Sequence, residues 1–102
     1  MTELEIKIVK KLAEIPKGKV ATYKTMANAC GIKNGARFIG NVMSKNPWPE
    51  KYPCYKVVKT DGEIGSYSAG EGTKTKIELL KKDGIEIKDG KIVNLEKYLY
   101  FN

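Results

Sequence analysis

Leu4, Ile8, Leu12 and Ile15 recur at the spacing of one helical stripe, with lysines and glutamates between them, so the pattern predicts an amphipathic helix over residues 3 to 15. Pro16-Lys17-Gly18 ends it. Thr22 is a suitable N-cap for a second helix from Tyr23 to about Ala29, and Gly31 supplies the turn that follows. Asn34 predicts the cap of a third helix from Gly35 to Ser44, with Phe38, Ile39, Val42 and Met43 on its buried side. Two short helices joined by a glycine turn form a helix-turn-helix signature, the second being the recognition helix. Many small helical domains carry such a pair without touching DNA, so the composition of the third helix matters more. Gly35, Ala36 and Gly40 leave a flat face from which Arg37 projects, and close helix packing explains those small residues equally well.

The second half changes character. Residues 46 to 53 hold three prolines and the only tryptophan, Trp48, which predicts an ordered loop. Residues 55 to 58 read as extended, and Asp61-Gly62 as a tight turn before Glu63-Ile64. A loop from Gly65 to Gly72 leads into a helix from about Thr73 to Lys82, with Gly84 placed to close it. Ile85 to Val93 reads as a small hairpin around Asp89-Gly90, with Leu95, Tyr98 and Leu99 packing back on the core. The order predicts an α+β fold dominated by helices, a small winged-helix-like domain with a helix-turn-helix and short strands.

Composition narrows the chemistry. The 102 residues are enough for one domain and one core. Nineteen basic residues against twelve acidic ones leave a net charge of +7, which favours a polyanionic partner over a neutral one, although a solvated lysine surface gives the same count. No apolar run approaches the ~20 residues a bilayer needs, so no membrane association is expected. The acidic start, Met1 to Glu5, is unlike an export signal, which points to the cytoplasm. Histidine is absent, and Cys30 and Cys54 lie too far apart for a zinc or redox pair, so no metal or cofactor is expected and any catalysis must work without imidazole. A disulfide between them is poorly motivated.

Cys30 near a helix end reads as a small buried hydrophobe. Cys54 has different company: the run Tyr52-Pro53-Cys54-Tyr55-Lys56-Val57-Val58 resembles the active-site motif of the alkylguanine-DNA alkyltransferases, also called methylated-DNA-protein-cysteine methyltransferases. In that family a tyrosine opens the helix-turn-helix, an arginine stands in the recognition helix, an asparagine ends it and Pro-Cys follows. Tyr23, Arg37, Asn46 and Pro53-Cys54 reproduce those intervals without a gap, Gly65-Ser66-Tyr67-Ser68 looks like the family's Gly-x-Tyr-Ser loop, and Lys76 to Gly84 looks like its closing helix. Two features depart from the pattern. The family's extra N-terminal domain has no counterpart in this sequence, as in the alkyltransferase-like proteins, which bind alkylated guanine but replace the cysteine. Here the cysteine is kept, while the family's histidine is Tyr55, its arginine is Lys56 and its orienting glutamate aligns with Asp83, so the Cys-water-His-Glu relay is broken.

The resemblance implies one domain over residues 1–102, with the helix-turn-helix at about 22–45, the active-site loop at 46–58 and the closing helix at about 73–83. It implies double-stranded DNA containing alkylated guanine as partner, bound through the minor groove by a monomer, with other repair proteins downstream. Arg37 would fill the place of an extruded nucleotide, and Gly35, Ala36 and Gly40 would let the helix enter a groove only ~6 Å wide. Tyr23 would rotate the target phosphate and reach the flipped base; Met43, Tyr67 and the backbone of Val57 and Ser68 would line its pocket; and Asn46 would brace the loop. Cys54 would accept the alkyl group once and irreversibly, with Tyr55 and Asp83 at the relay positions. Activation is then expected from basic neighbours such as Lys56 or from a helix end. The alternative is a lesion-binding protein without transfer that flags alkylated guanine for another pathway. Lys19, Lys24 and Lys45 are expected to add salt-dependent affinity for DNA.

Overall fold

The computed structural model describes residues 1–65, 67 and 69–101. Helix α1 spans Glu3–Leu12 and opens on a capping box: Glu5 N donates to Thr2 Oγ1 at 3.1 Å, and Thr2 N donates to Glu5 Oε1 at 2.9 Å. The helix stops three residues earlier than its stripe predicts. Ala13, Glu14 and Ile15 instead donate to carbonyls three residues back, each at 3.1 Å, a tightened last turn that still delivers Ile15 to the core.

Strand β1 is only Ala21–Thr22, and it lies parallel to β2, Val57–Val58, with Ala21 opposite Val57. No local pattern announces this pairing. It organises the molecule because successive side chains on a strand face opposite ways. Ala21 and Val57 join a core with Ile8, Leu12, Met26, Ile39 and Val42, whereas Val20 and Val58 join a second core with Ile64, Leu80, Ile85 and Ile92. Val20 is tied on its other edge to the C-terminal segment, its N–H donating to Tyr98 O at 2.8 Å and its carbonyl accepting from Tyr100 N at 3.0 Å.

Thr22 ends β1 and caps α2, Tyr23–Ala29, in a second capping box with Thr25. Tyr23 therefore sits at the first helical position, where strand and helix meet. Helix α3 spans Ala36–Ser44. Its cap is Gly35 and not Asn34, which is itself left-handed at φ 54°. The glycine is required there, because a Cβ on Gly35 would fall 2.3 Å from Ile32 Cγ2. Phe38 is also misassigned by the sequence pattern: it is 38% exposed, since the buried arc centres on Ile39, Val42 and Met43 and Phe38 falls on its flank.

The segment expected to be extended from Tyr55 opens as a 3₁₀ turn, Cys54–Lys56, before β2. Helix α4 spans Thr73–Lys82 and is closed by Gly84 at φ 89°. Strands β3, Ile87–Lys88, and β4, Lys91–Ile92, form the tail hairpin, with Asp89 and Gly90 both at positive φ as a two-residue turn requires. Ile64 N donates to Gly90 O and Ile92 N to Gly62 O, so the hairpin fastens the Asp61-Gly62 turn. Helix α5, Leu95–Tyr98, closes the second core with Tyr98. Among the described residues no helix is long and apolar enough to cross a membrane.

Candidate active site

Cys54 stands at the start of the 3₁₀ turn, where the proline loop runs into β2, and is 5% exposed. The loop is held by Asn46: its Nδ2 donates to Tyr52 O at 2.7 Å, and its Oδ1 accepts from Trp48 N at 3.0 Å. This is the bracing role the resemblance implies, and Asn46 is itself buried. Asn46→Ala removes both of these bonds, leaving the Tyr52 carbonyl with only Cys54 N and the Trp48 N–H to solvent, so a loss of about 1 kcal/mol in urea-unfolding free energy is expected. Burial pushes the Cys54 thiol above its ordinary value, and a hydrogen bond from the Asn46 side chain and the nearby charge of Lys76 pull it back.

Tyr55 and Asp83, which the resemblance aligns with the relay, do meet. Tyr55 Oη donates to Asp83 Oδ2 at 2.5 Å, the length of a charge-assisted O–H···O⁻ bond. Burial, then the bond to Asp83, hold the phenol far above its usual range. A hydroxyl so committed is neither a base nor a donor for the neighbouring sulfur. Lys56, expected as an activating cation, is also spent elsewhere: its buried Nζ donates to Ile15 O at 2.8 Å, satisfying a carbonyl left open where α1 stops.

A groove of about 750 Å³ runs along α3, lined by Tyr23, Ala36, Arg37, Gly40, Ser44 and, from the turn after β2, Lys59 and Thr60. Arg37 is exposed and shares this groove with Tyr23. The two explanations for small residues on α3 separate here. Gly35 is buried and small for packing, whereas a Cβ on Gly40 would meet only a Tyr23 ring carbon at 4.0 Å, so packing leaves Gly40 unexplained and the flat groove wall explains it. Burial, and then the neighbouring Cys54, raise the Tyr23 hydroxyl's pKa.

A second hollow, of about 560 Å³, is lined by Pro49, Pro53, Tyr55, Tyr67, Ala69 and Leu79. Tyr67 is thus at a cavity wall. Met43 and Val57 are buried in the first core, so Val57 offers the site only its backbone, and Ser68 lies outside the described residues. Of the lysines expected to meet DNA, Lys45 pairs with Glu5 at 3.6 Å and Lys19 donates to Lys97 O at 3.2 Å. Lys24 is exposed beside the start of α3.

Sequence reasoning missed Lys76. It lies on α4 one turn before Leu80, is 1% exposed, and its Nζ is 5.9 Å from the centre of the Tyr23 ring. Burial drags its amine down to about 8, against opposition from Cys54. A lysine in line with the buried leucine of an amphipathic helix was the available signal. No cluster of side chains suited to a metal ion occurs among the described residues.

Comparison with known proteins agrees with this arrangement. Residues 3–85 match the family described as 6-O-methylguanine DNA methyltransferase, DNA binding domain. A bifunctional methyltransferase/endonuclease of Picrophilus torridus is 44% identical over 91 residues, covering 89% of this chain and 30% of that protein. A methylated-DNA--protein-cysteine methyltransferase of Candida glabrata is 38% identical over 106 residues, covering 97% of this chain and 50% of that one. The chain therefore spans half or less of these curated relatives. The crystal structure of S. pombe Atl1 in complex with damaged DNA containing O6-carboxymethylguanine superposes with a TM-score of 0.86 at 28% identity, covering 100% of this chain and 98% of that one. With residues 3–85 of its 102 matched, the chain belongs to the 6-O-methylguanine DNA methyltransferase family, in its DNA-binding domain.

Proposed function

We propose that this domain binds duplex DNA along the α3 groove, turns an O6-alkylated guanine out of the stack and accepts its alkyl group on Cys54. The carrying observation is the retained Cys54 at the end of the Asn46-braced loop, whose flanking residues Pro53 and Tyr55 line a hollow with Tyr67, in a chain where Tyr23 and Arg37 share one groove. In the reaction, the sulfur forms a bond to the alkyl carbon while the bond from that carbon to guanine oxygen-6 breaks and its electron pair leaves with the base. The thioether is stable, so each molecule acts once and uses no cofactor. Arg37 occupies the vacancy in the duplex, as an extrusion mechanism needs.

A second reading is favoured by the Tyr55–Asp83 bond, which takes the place of the family's relay, and by the likeness in fold to Atl1. It holds that the domain binds the lesion without transfer and hands it to another repair activity. An endonuclease is the class of partner that the name of the Picrophilus torridus relative suggests.

Mass spectrometry after incubation with an oligonucleotide duplex containing O6-methylguanine separates the two. The expected result is a gain of one methyl on the peptide carrying Cys54, lost in Cys54→Ser while DNA binding persists. Tight lesion binding with no mass gain would replace the first reading by the second.

A further inference from the structure

The tail hairpin holds a pair of charges that its own folding does not favour. Its turn sets Lys88 directly opposite Lys91, and like charges facing each other across an antiparallel pair, with Cβ atoms about 5 Å apart, repel. Both lysines are exposed, and among the described residues neither side chain has an ion-pair or hydrogen-bond partner, Asp89 in the turn between them included. Packing does not require them either. The next pair along the hairpin is Ile87 opposite Ile92, and those side chains, on the other face, are the ones that join the second core.

The lysines continue a row that begins in the α3 groove. Lys91 is bridged on its other side to Glu63, and Glu63 faces Lys59 across the Asp61-Gly62 turn, with Lys59 N donating to Glu63 O at 2.9 Å. Residues opposite each other in such pairs share a face of the sheet, as the Lys59–Glu63 ion pair at 3.6 Å shows for the first step. Lys59, Glu63, Lys91 and Lys88 therefore form one row, about 14 Å long at ~4.8 Å per step, with three ammonium groups against one carboxylate. Lys59 and Thr60 at its head line the groove with Arg37. One DNA strand presents a phosphate every ~3.4 Å of axis, so the row matches the backbone of about four base pairs.

We propose that Lys88 and Lys91 are a phosphate clamp, holding the backbone of duplex DNA beside the α3 groove. The hairpin lies past residue 85, where the match to the family's DNA-binding domain ends. The clamp rests on the proposal that the groove takes duplex DNA, and it widens the footprint on that DNA. A phosphodiester between the two ammonium groups replaces their repulsion by attraction and releases counterions from the duplex. No base edge takes part, so the clamp adds affinity without preference for sequence or lesion.

The test is the salt dependence of binding by the full chain, read by fluorescence anisotropy on two short labelled duplexes, one of them carrying O6-methylguanine. In Lys88→Gln with Lys91→Gln, the fall of log affinity with log salt should be shallower by about 1.8, and each single variant should give half of that. Between about 50 and 200 mM salt the wild type should then lose roughly tenfold more affinity than the double variant, equally on both duplexes. The double variant should unfold at no lower temperature than the wild type, since a repulsive pair has been removed. Lys7→Gln with Lys10→Gln takes the same charge from the exposed side of α1 and should keep the wild-type slope. An unchanged slope in the hairpin variants would overturn the clamp, leave the groove reading standing and give the lysine pair to an acidic protein surface instead. An equal loss in the α1 variant would also overturn it, because net charge would be the cause. A wild type whose duplex affinity ignores salt would sink the groove reading, and the clamp with it.

Discussion

Lys76→Met is expected to raise the unfolding temperature at pH 7 by on the order of 10 °C. The amine's value is about 8 in the folded chain against an ordinary 10.5, so folding at pH 7 forces an ammonium into a site that disfavours it. The sign follows from proton counts. Between pH 8 and 10.5 the unfolded chain holds one more proton than the folded one, so stability climbs with pH through that interval, and below it the full penalty applies. Each pKa unit corresponds to about 1.4 kcal/mol, and part is offset by the partners Lys76 keeps, which leaves a gain of about 2 kcal/mol from an apolar side chain of similar length. Calorimetry at two pH values checks the mechanism as well as the size: the advantage of Lys76→Met at pH 7 should shrink toward nothing near pH 10. A variant that is less stable at both would mean that Lys76 holds the core together by its contacts and is not tolerated there for its chemistry. A buried lysine that costs stability is the expected mark of a functional group on an otherwise apolar helix face.

The sequence made the scaffold legible wherever a local rule was strong. Thr22 with Thr25 fixed the start of α2, Gly84 the end of α4, and Asp89-Gly90 the tail turn, each by backbone chemistry that acts within a few residues. The intervals from Tyr23 to Arg37, Asn46 and Cys54 brought the candidate site into view for the same reason, since short elements fix where side chains emerge. What stayed hidden were contacts between distant segments. The β1–β2 pairing joins two-residue strands whose partners lie far apart in sequence, and it alone sorts Ala21 and Val57 from Val20 and Val58 into separate cores. Lys56 looked like an activating charge until the early stop of α1 exposed a carbonyl for it to bind. Asn34 was a reasonable cap, but the crowding of Gly35 against Ile32 sets the entry to α3. Lys76 stayed hidden because a charged residue argues for the surface even at a position in step with Leu80.

The double variant Tyr55→His with Asp83→Glu is expected to transfer methyl from O6-methylguanine DNA about five- to tenfold faster than the wild type at pH 7, with the advantage fading above about pH 8.5. The reasoning starts from lengths. A phenol reaches further from the backbone than an imidazole, and an aspartate reaches less far than a glutamate, so the Tyr55–Asp83 bond spans a gap that a histidine and a glutamate fill with a different division of the distance. The pair thus preserves the join between the 3₁₀ turn and the end of α4 while surrendering a base that titrates near neutrality. At pH 7 most of an ordinary imidazole is neutral and able to take the thiol proton, whereas a thiol raised by burial is almost wholly protonated, so the advantage fades as rising pH ionises the thiol unaided. Either single change leaves the two side chains mismatched in length, so each should give less than its share of the double variant, a positive coupling that single-turnover rates at pH 7 would resolve. Equal rates for the double variant and the wild type across pH 6.5 to 8.5 would mean that proton removal from Cys54 does not limit transfer. The slow step would then be the delivery of the base by Tyr23 and Arg37.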